Sequence, residues 1–435
     1  MTDTSVKIDP ESGRKPRLTP EVRRGLLGLG LGNTLEWYDW MVFGLLSAFI
    51  GPKFFPAQDP IAATLNALAI FAVGFAFRPL GGILLGTFAD RIGRRRVMLW
   101  SIMMMAGTTL IIALCPTYEQ IGAAAGIVLL VCRIIQGIST GVEAPLSTAH
   151  AVELVPAGRE GFVAGVISFY VNVGILLASL VSYVCSLLLS GAVMADWGWR
   201  VPFIVGAVLG LVVIYLRRTL PETMKPDELA ENSSAKTVWG GVRKHWLSVL
   251  AITFVVGAAQ AYNYAWNTGL PTAARSGFKE DATAVFALTT ALGVVLVLGS
   301  LIIGKVADGK SISKWFLITR ALSIPSVFLM LMYVRPGIGG FAAVLLGGSV
   351  VLVLNMTLYN VVSSSLMPKN CRGAGTALGY GLGVALFGGT ASYLLVWLQS
   401  LNASWIFPVY VAVLSLLSIV FYLLARQKNG TFIGS

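Results

Sequence analysis

The sequence predicts an all-α integral membrane protein, with twelve transmembrane helices arranged as two six-helix bundles. Three observations predict it. Of 435 residues, 56% are hydrophobic and only 12% are charged, with mean hydropathy +0.78; soluble domains carry about 25% charged residues. Twelve apolar stretches follow one another along the chain, with lengths suited to crossing a bilayer. The longest polar connection, residues 217–244, falls after the sixth stretch.

The stretches cover residues 26–50, 61–88, 97–114, 121–149, 162–189, 199–216, 246–270, 282–306, 315–333, 338–362, 373–398 and 404–425. Residues 1–24 are polar, lack an apolar signal core and read as a cytoplasmic tail. The first bundle is then expected over 25–216, a cytoplasmic linker over 217–245, the second bundle over 246–425 and a second tail over 426–435. With both termini in the cytoplasm, the tails and inner loops hold 25 of the 32 Lys and Arg, Lys305 to Arg320 among them. The outer side holds five: Lys53, Arg200, Arg275, Lys279 and Arg335. This is the positive-inside asymmetry. The net charge of +12 therefore sets topology in the cell inner membrane, and a nucleic-acid partner is not expected.

The four cysteines, Cys115, Cys132, Cys185 and Cys371, show no metal or redox spacing and read as small packing residues. His150 and His245 lie at helix ends, each without a second ligand nearby, so no metal site is expected. No Gly-x-x-x-x-Gly-Lys phosphate loop occurs. No nucleophile, base and orienting group can be assigned to one cavity. An enzyme is not expected, nor a cofactor beyond a coupling proton, and the partners expected are a small-molecule substrate and lipid, with the chain a monomer.

The chemistry concentrates in the first bundle. Glu36 and Asp39 lie one turn apart inside the first apolar stretch and share one helix face. An ionisable group at that depth costs at least roughly 3 kcal/mol by insertion scales and marks a functional site. Of 20 acidic residues only Glu36, Asp39 and Glu143 lie at membrane depth, joined by Arg78 and Arg133. A rise of about 1.5 Å per residue puts Asp39 roughly 20 Å and Arg133 roughly 25 Å above the inner face, with the other three lower, at roughly 10–15 Å. The expected pairs are Asp39 with Arg133, and Arg78 with Glu36 or Glu143. Arginine does not release its proton, so the carboxylates do the titrating. Asp39 is the expected proton carrier and Arg133 its switchable partner, with Glu36 and Glu143 as alternatives; a static ion pair holding helices together is the structural alternative.

The second bundle has no deep acid. Gln260, Asn263, Tyr264 and Asn267 follow i, i+3, i+4, i+7 on one face of the seventh stretch, and Asn355 and Tyr359 stand i, i+4 on the tenth. With Asn33, Trp37, Arg133 and Gln136 they form the candidate substrate-binding set. Interhelical hydrogen bonding is the competing use of such groups. Trp37 and Trp40 flank the carboxylates as aromatic walls, suited to a ring or a methylammonium group, while Arg78 and Arg133 suit a carboxylate. Pro271 is expected to kink or end its helix. Gly375, Gly379 and Gly383, like Gly137/Gly141 and Gly161/Gly165, suit close helix packing.

Between the second and third stretches runs Gly86-Thr87-Phe88-Ala89-Asp90-Arg91-Ile92-Gly93-Arg94-Arg95-Arg96, and Gly304-x-x-x-Asp308 repeats its opening one bundle later. This Gly-x-x-x-Asp-Arg-x-Gly-Arg-Arg-Arg run resembles the signature loop of the major facilitator superfamily. The resemblance implies that Gly86, Asp90, Arg91, Gly93 and Arg94 belong to an inner gate. Glu36-Trp37-Tyr38-Asp39-Trp40, Arg78-Pro79-Leu80-Gly81-Gly82, and Arg133-x-x-Gln136-Gly137-x-x-x-Gly141-x-Glu143 resemble that superfamily's metabolite:proton symporters. So do Trp197-Gly198-Trp199-Arg200-Val201-Pro202-Phe203, Tyr215-Leu216-Arg217-Arg218 and Phe387-Gly388-Gly389-Thr390. Those symporters include carriers of 2-oxoglutarate, citrate, shikimate, proline and betaine. The sequence departs from their pattern mainly in its second half, where a frequent Tyr-Asn pair reads Tyr380-Gly381 and Met367-Pro368-Lys369 replaces an acidic residue before Pro and Arg. The resemblance implies proton-coupled uptake of a small organic acid or zwitterion by alternating access, with a proton-driven efflux antiporter of the same superfamily as the alternative.

Overall fold

The computed structural model describes residues 19–56, 59–92, 94–141, 143, 151, 155, 159–218, 235–332, 336–368 and 371–432. Helix α1 runs Pro20–Phe54; Thr19 caps it by accepting from Val22 N, and Pro20 supplies the preset first turn. Asp59 caps α2 in the same way. That helix runs Pro60–Ala76, breaks at Phe77 and resumes as Arg78–Ile92. The break precedes Pro79, whose ring carries no N–H and crowds the preceding turn. Then follow α3 (Arg94–Leu114), α4 (Ala124–Thr140), α5 (Glu160–Leu188) and α6 (Arg200–Arg218), the last reached through a short helical segment bent 50° against it.

A short helix, Ala235–Lys244, precedes α7 (Trp246–Ser276), α8 (Ala282–Ala307), α9 (Ile312–Met332), α10 (Ile338–Gly347 and Ser349–Ser365), α11 (Arg372–Ser400) and α12 (Ile406–Asn429). Among the described residues, nine helices are long and apolar enough to cross a membrane, and α6 with the bent segment before it makes a tenth. The 17-residue apolar α4 and the 35-residue α1, which carries the two acids, complete twelve. Leucines, valines and isoleucines of α5, α6, α8 and α12 are exposed on the outer surface, as a lipid-facing girdle requires.

Three sequence expectations are corrected. The fourth helix begins at Ala124 rather than 121; its described run reaches Thr140, Glu143 is again helical, and residues 144–150 lie outside the described residues. The seventh does not end near Pro271: a π-helical segment, Ala265–Gly269, absorbs the proline and the helix continues to Ser276. A second π-helical segment, Val384–Gly388, lies in α11. Arg320, counted with the inner-loop cations, lies within α9, fully buried. His150 and most of the linker fall outside the described residues.

The two bundles meet chiefly where α5 lies along α8. Gly165 permits this: a Cβ there would stand 2.7 Å from Gly304 Cα. The starts of α1, α5 and α7 and the ends of α8, α10 and α12 share one face, the terminal face. There Asn429 Nδ2 donates to Ser248 Oγ at 2.8 Å, and Phe432 N to Ser365 O. On this terminal face Arg159 Nε stands 3.4 Å from Asp308 Oδ2, across the bundles. On the opposite half, Thr272 Oγ1 of α7 donates to Gly44 O of α1 at 3.2 Å and lies 3.3 Å from Ser47 Oγ. The two bundles thus touch on both halves of the molecule.

Candidate functional site

Both expected ion pairs form. Arg133 Nη1 of α4 donates to Asp39 Oδ2 at 3.2 Å, and Arg78 Nη2 stands 3.0 Å from Glu36 Oε1. All four side chains are at most 2% exposed. The break at Phe77 starts a new helical segment at Arg78 and so places its guanidinium beside α1. The two pairs differ in their surroundings. Asp39 also accepts a short hydrogen bond from Thr109 Oγ1 of α3, and Gln136 Nε2 donates to that hydroxyl at 3.1 Å. Neither oxygen of Glu36 accepts a directed hydrogen bond among the described residues. Glu143 Oε2 lies 3.4 Å from Ser101 Oγ of α3.

Trp40 joins the pairs. The guanidinium of Arg78 lies 4.7 Å from its ring centroid, and that of Arg133 lies 5.3 Å from it. Phe75 and Phe43 complete the aromatic surroundings, at 4.7 and 3.9 Å from Arg78 and Arg133 respectively. Cation–π contact of this kind stabilises a desolvated guanidinium by up to about 2 kcal/mol. Trp40 is thus a platform for the protein's own arginines rather than an open wall for a ligand cation. Trp37 faces the other bundle and stacks on Tyr264, centroids 5.9 Å apart at 15°. Asn33 is buried and donates to Leu29 O of its own helix.

In the second bundle the polar face of α7 forms a directed chain. Asn267 Nδ2 donates to Asn263 Oδ1 at 2.9 Å, Asn263 Nδ2 to Gln260 Oε1 at 3.3 Å, and Gln260 Nε2 to Tyr359 OH at 2.8 Å. Tyr359 OH in turn lies 3.5 Å from Tyr380 OH of α11. The Tyr264 and Tyr380 hydroxyls lie within electrostatic range of Arg78 and Glu36, so this chain reaches the first bundle. A Cβ at Gly381 would lie 3.0 Å from Pro79 Cγ. The glycine lets α11 approach α2 beside Arg78. Asn355 lies one turn from Tyr359 and donates to Val351 O at 3.1 Å.

Several buried polar atoms lining this centre have no partner among the described residues: Trp40 Nε1, Arg78 Nε, Arg133 Nε and Nη2, Gln136 Oε1, Tyr264 OH, Asn267 Oδ1 and Asn355 Oδ1. Buried polar groups are ordinarily satisfied, so such a cluster fits a site that a polar ligand completes. Pairing singled out neither Thr109 nor Tyr380, because a threonine in an apolar stretch and a tyrosine among glycines carry no spacing signal. The helical backbone at Gly86, Asp90, Arg91 and Arg94 is described but their side chains are not, and Gly93 lies outside the described residues.

The sequence model of the Major Facilitator Superfamily matches residues 29–383, most of the chain. The chain belongs to this superfamily. Among the superfamily's members, it is 31% identical over 413 residues to the alpha-ketoglutarate permease of Escherichia coli (strain K12), covering 93% of this chain and 94% of the permease. It is 31% identical over 401 residues to a putative proline/betaine transporter of Staphylococcus haemolyticus (strain JCSC1435), covering 89% and 84%. It is 30% identical over 366 residues to the citrate-proton symporter of Salmonella typhi, covering 84% of each. The fold matches the major facilitator proton:xylose symporter XylE bound to 6-bromo-6-deoxy-D-glucose, with TM-score 0.72 at 16% identity over 95% of this chain and 97% of that one. Twelve helices in two six-helix bundles are therefore the fold of this chain.

Proposed function

We propose that this protein is a secondary active transporter that couples inward proton movement to uptake of a small organic acid or zwitterion by alternating access. The carrying observation is the pair of buried carboxylate–arginine contacts on α1, bordered by unpartnered polar atoms of both bundles. The names of the relatives above, a citrate-proton symporter among them, agree with it.

Asp39 carries the proton. While it is ionised, Arg133 is engaged. Protonation removes the charge that holds Arg133, and the freed guanidinium takes the substrate carboxylate. Thr109 and Gln136 position Asp39 during the exchange. Glu36 and Arg78 form the second, more loosely held pair, and Glu143 sits beneath them. Gln260, Asn263, Tyr264, Asn267, Asn355 and Tyr359, with Asn33, Trp37 and Gln136, contact the remainder of the substrate. The bundles, 25–216 and 246–425, rock about this centre, with 217–245 as cytoplasmic linker and 1–24 and 426–435 as cytoplasmic tails. The signature loop from Gly86 to Arg94 closes the inner side. The chain works as a monomer in the inner membrane, without a cofactor other than the proton.

The test is thermal-shift screening of purified protein against organic acids, amino acids and betaines, followed by counterflow in proteoliposomes with the best ligand. Binding stabilises the folded state in proportion to occupancy. Stabilisation by a carboxylate-bearing ligand and its counterflow are expected. A ligand that exits only against inward proton flow would instead indicate efflux.

A further inference from the structure

Two asparagines of the second bundle can present their oxygens in one orientation only. Asn267 Nδ2 donates to the main-chain Asn263 O at 3.2 Å as well as to its side chain, and Asn355 Nδ2 donates to Val351 O at 3.1 Å. A main-chain carbonyl accepts and never donates. Turning either amide by half a rotation would set Oδ1 against that carbonyl and strand the amide hydrogens. The main chain therefore fixes both amides, and Oδ1 is the atom each one offers. Both residues are at most 2% exposed, and neither oxygen meets a donor among the described residues.

Their position is central. Asn267 lies one turn beyond Asn263 and Tyr264 on α7, and Tyr264 stacks on Trp37 of the first bundle. Asn355 lies one turn from Tyr359 on α10, whose hydroxyl takes Gln260 of α7. The opposing wall has the reverse character. It offers the unpartnered donors of Trp40, Arg78 and Arg133, and its acceptors without a directed bond are Gln136 Oε1 and the Glu36 carboxylate. A substrate carboxylate is attracted to the arginine side. At the asparagine side it would face two fixed lone pairs, with the Tyr264 hydroxyl a nearby donor that has no partner among the described residues.

Resting on the transport proposed above, we infer that the substrate carries, beside its carboxylate, a hydrogen-bond donor, an N–H or O–H group, that Asn267 and Asn355 accept. A site built to pair a substrate N–H or O–H rejects the analogue lacking it, because its own polar groups are then left bare.

The experiment measures binding to the purified full-length protein, and uptake in proteoliposomes, for matched compounds. The pairs are L-proline and its N,N-dimethyl betaine, malate and succinate, and lactate and its methyl ether. In at least one pair the donor-bearing member is expected to bind at least about tenfold more tightly. Asn355→Leu or Asn267→Leu is expected to bring that ratio close to unity by weakening the donor-bearing member more than its donor-less partner, with a cooperative thermal melt reporting that the variant is folded. Equal or tighter binding of the donor-less member in every pair overturns the inference. So does a ratio unmoved by both substitutions, or binding by no member. Proton-driven uptake of donor-less compounds on a par with their partners overturns it while leaving proton-coupled transport standing. Uptake indifferent to a proton gradient overturns the transport proposal itself.

Discussion

Asp39 and Glu36 stand one turn apart on α1 and are held in different ways. Asp39 takes Arg133 and the Thr109 hydroxyl, which Gln136 supports, whereas Glu36 takes Arg78 at 3.0 Å without a directed hydrogen bond. Trp40 touches both guanidinium groups, so movement of one arginine is felt by the other.

Asp39→Asn removes the titrating group while keeping the size and the contact with Thr109. Uptake driven by a pH gradient is expected to fall at least about tenfold, a loss of roughly 1.4 kcal/mol or more in the driven step. Counterflow, which needs no net proton movement, persists. Initial rates in proteoliposomes with and without the gradient check this. Wild-type accumulation by the variant would remove Asp39 from coupling.

Arg133→Gln leaves Asp39 buried without its countercharge. Removing one partner of a buried pair costs roughly 3–5 kcal/mol. A marked drop in melting temperature is expected, and the double variant with Asp39→Asn recovers most of it. A double variant no more stable than the single would show that Arg133 packs rather than pairs.

Gly165→Val places a side chain where Gly304 Cα lies 2.7 Å from a bare Cβ. Overpacking of this kind costs about 1–3 kcal/mol when closed. The terminal-face ends of α5 and α8 are expected to stay apart, and uptake to fall, with ligand binding retained. Spin-label distances across these ends read the outcome. Unchanged distances with normal uptake would contradict the close approach of α5 and α8 described above.

Arg320 donates to Val255 O at 2.9 Å and keeps Nε and Nη1 unpartnered, with no acidic partner among the described residues. Arg320→Met keeps the length and removes a desolvated charge. Replacing buried ionic groups by apolar ones is often neutral or stabilising, by about 1–4 kcal/mol. An unchanged or raised melting temperature is expected. A clear fall would assign Arg320 a stabilising contact beyond the Val255 carbonyl.

Much of the site was legible because membrane depth makes charge informative. Five ionisable groups inside apolar stretches, spaced by helical rise, led to Asp39 with Arg133 and to Arg78 with Glu36 or Glu143, and the Asp39–Arg133 and Arg78–Glu36 contacts are present. The i, i+3, i+4, i+7 face of α7 was equally readable, and its amides do form one hydrogen-bonded chain. Arg320 was missed because a cation near the start of an apolar stretch looks like a loop anchor; only tertiary packing buries it. Thr109 and Tyr380 were missed because their partners come from helices distant in sequence. The run-on of α7 past Pro271 depends on a π-turn that periodicity alone does not reveal.

The most direct measurement follows lumenal pH and solute together in proteoliposomes containing only this polypeptide, at zero voltage. With solute added and an inward proton gradient imposed, solute-dependent acidification and accumulation above equilibrium are predicted, both abolished by a protonophore. Accumulation that proceeds unchanged when the gradient is collapsed, or solute entry with no accompanying proton, would contradict reversible neutralisation of the α1 carboxylates as the source of coupling.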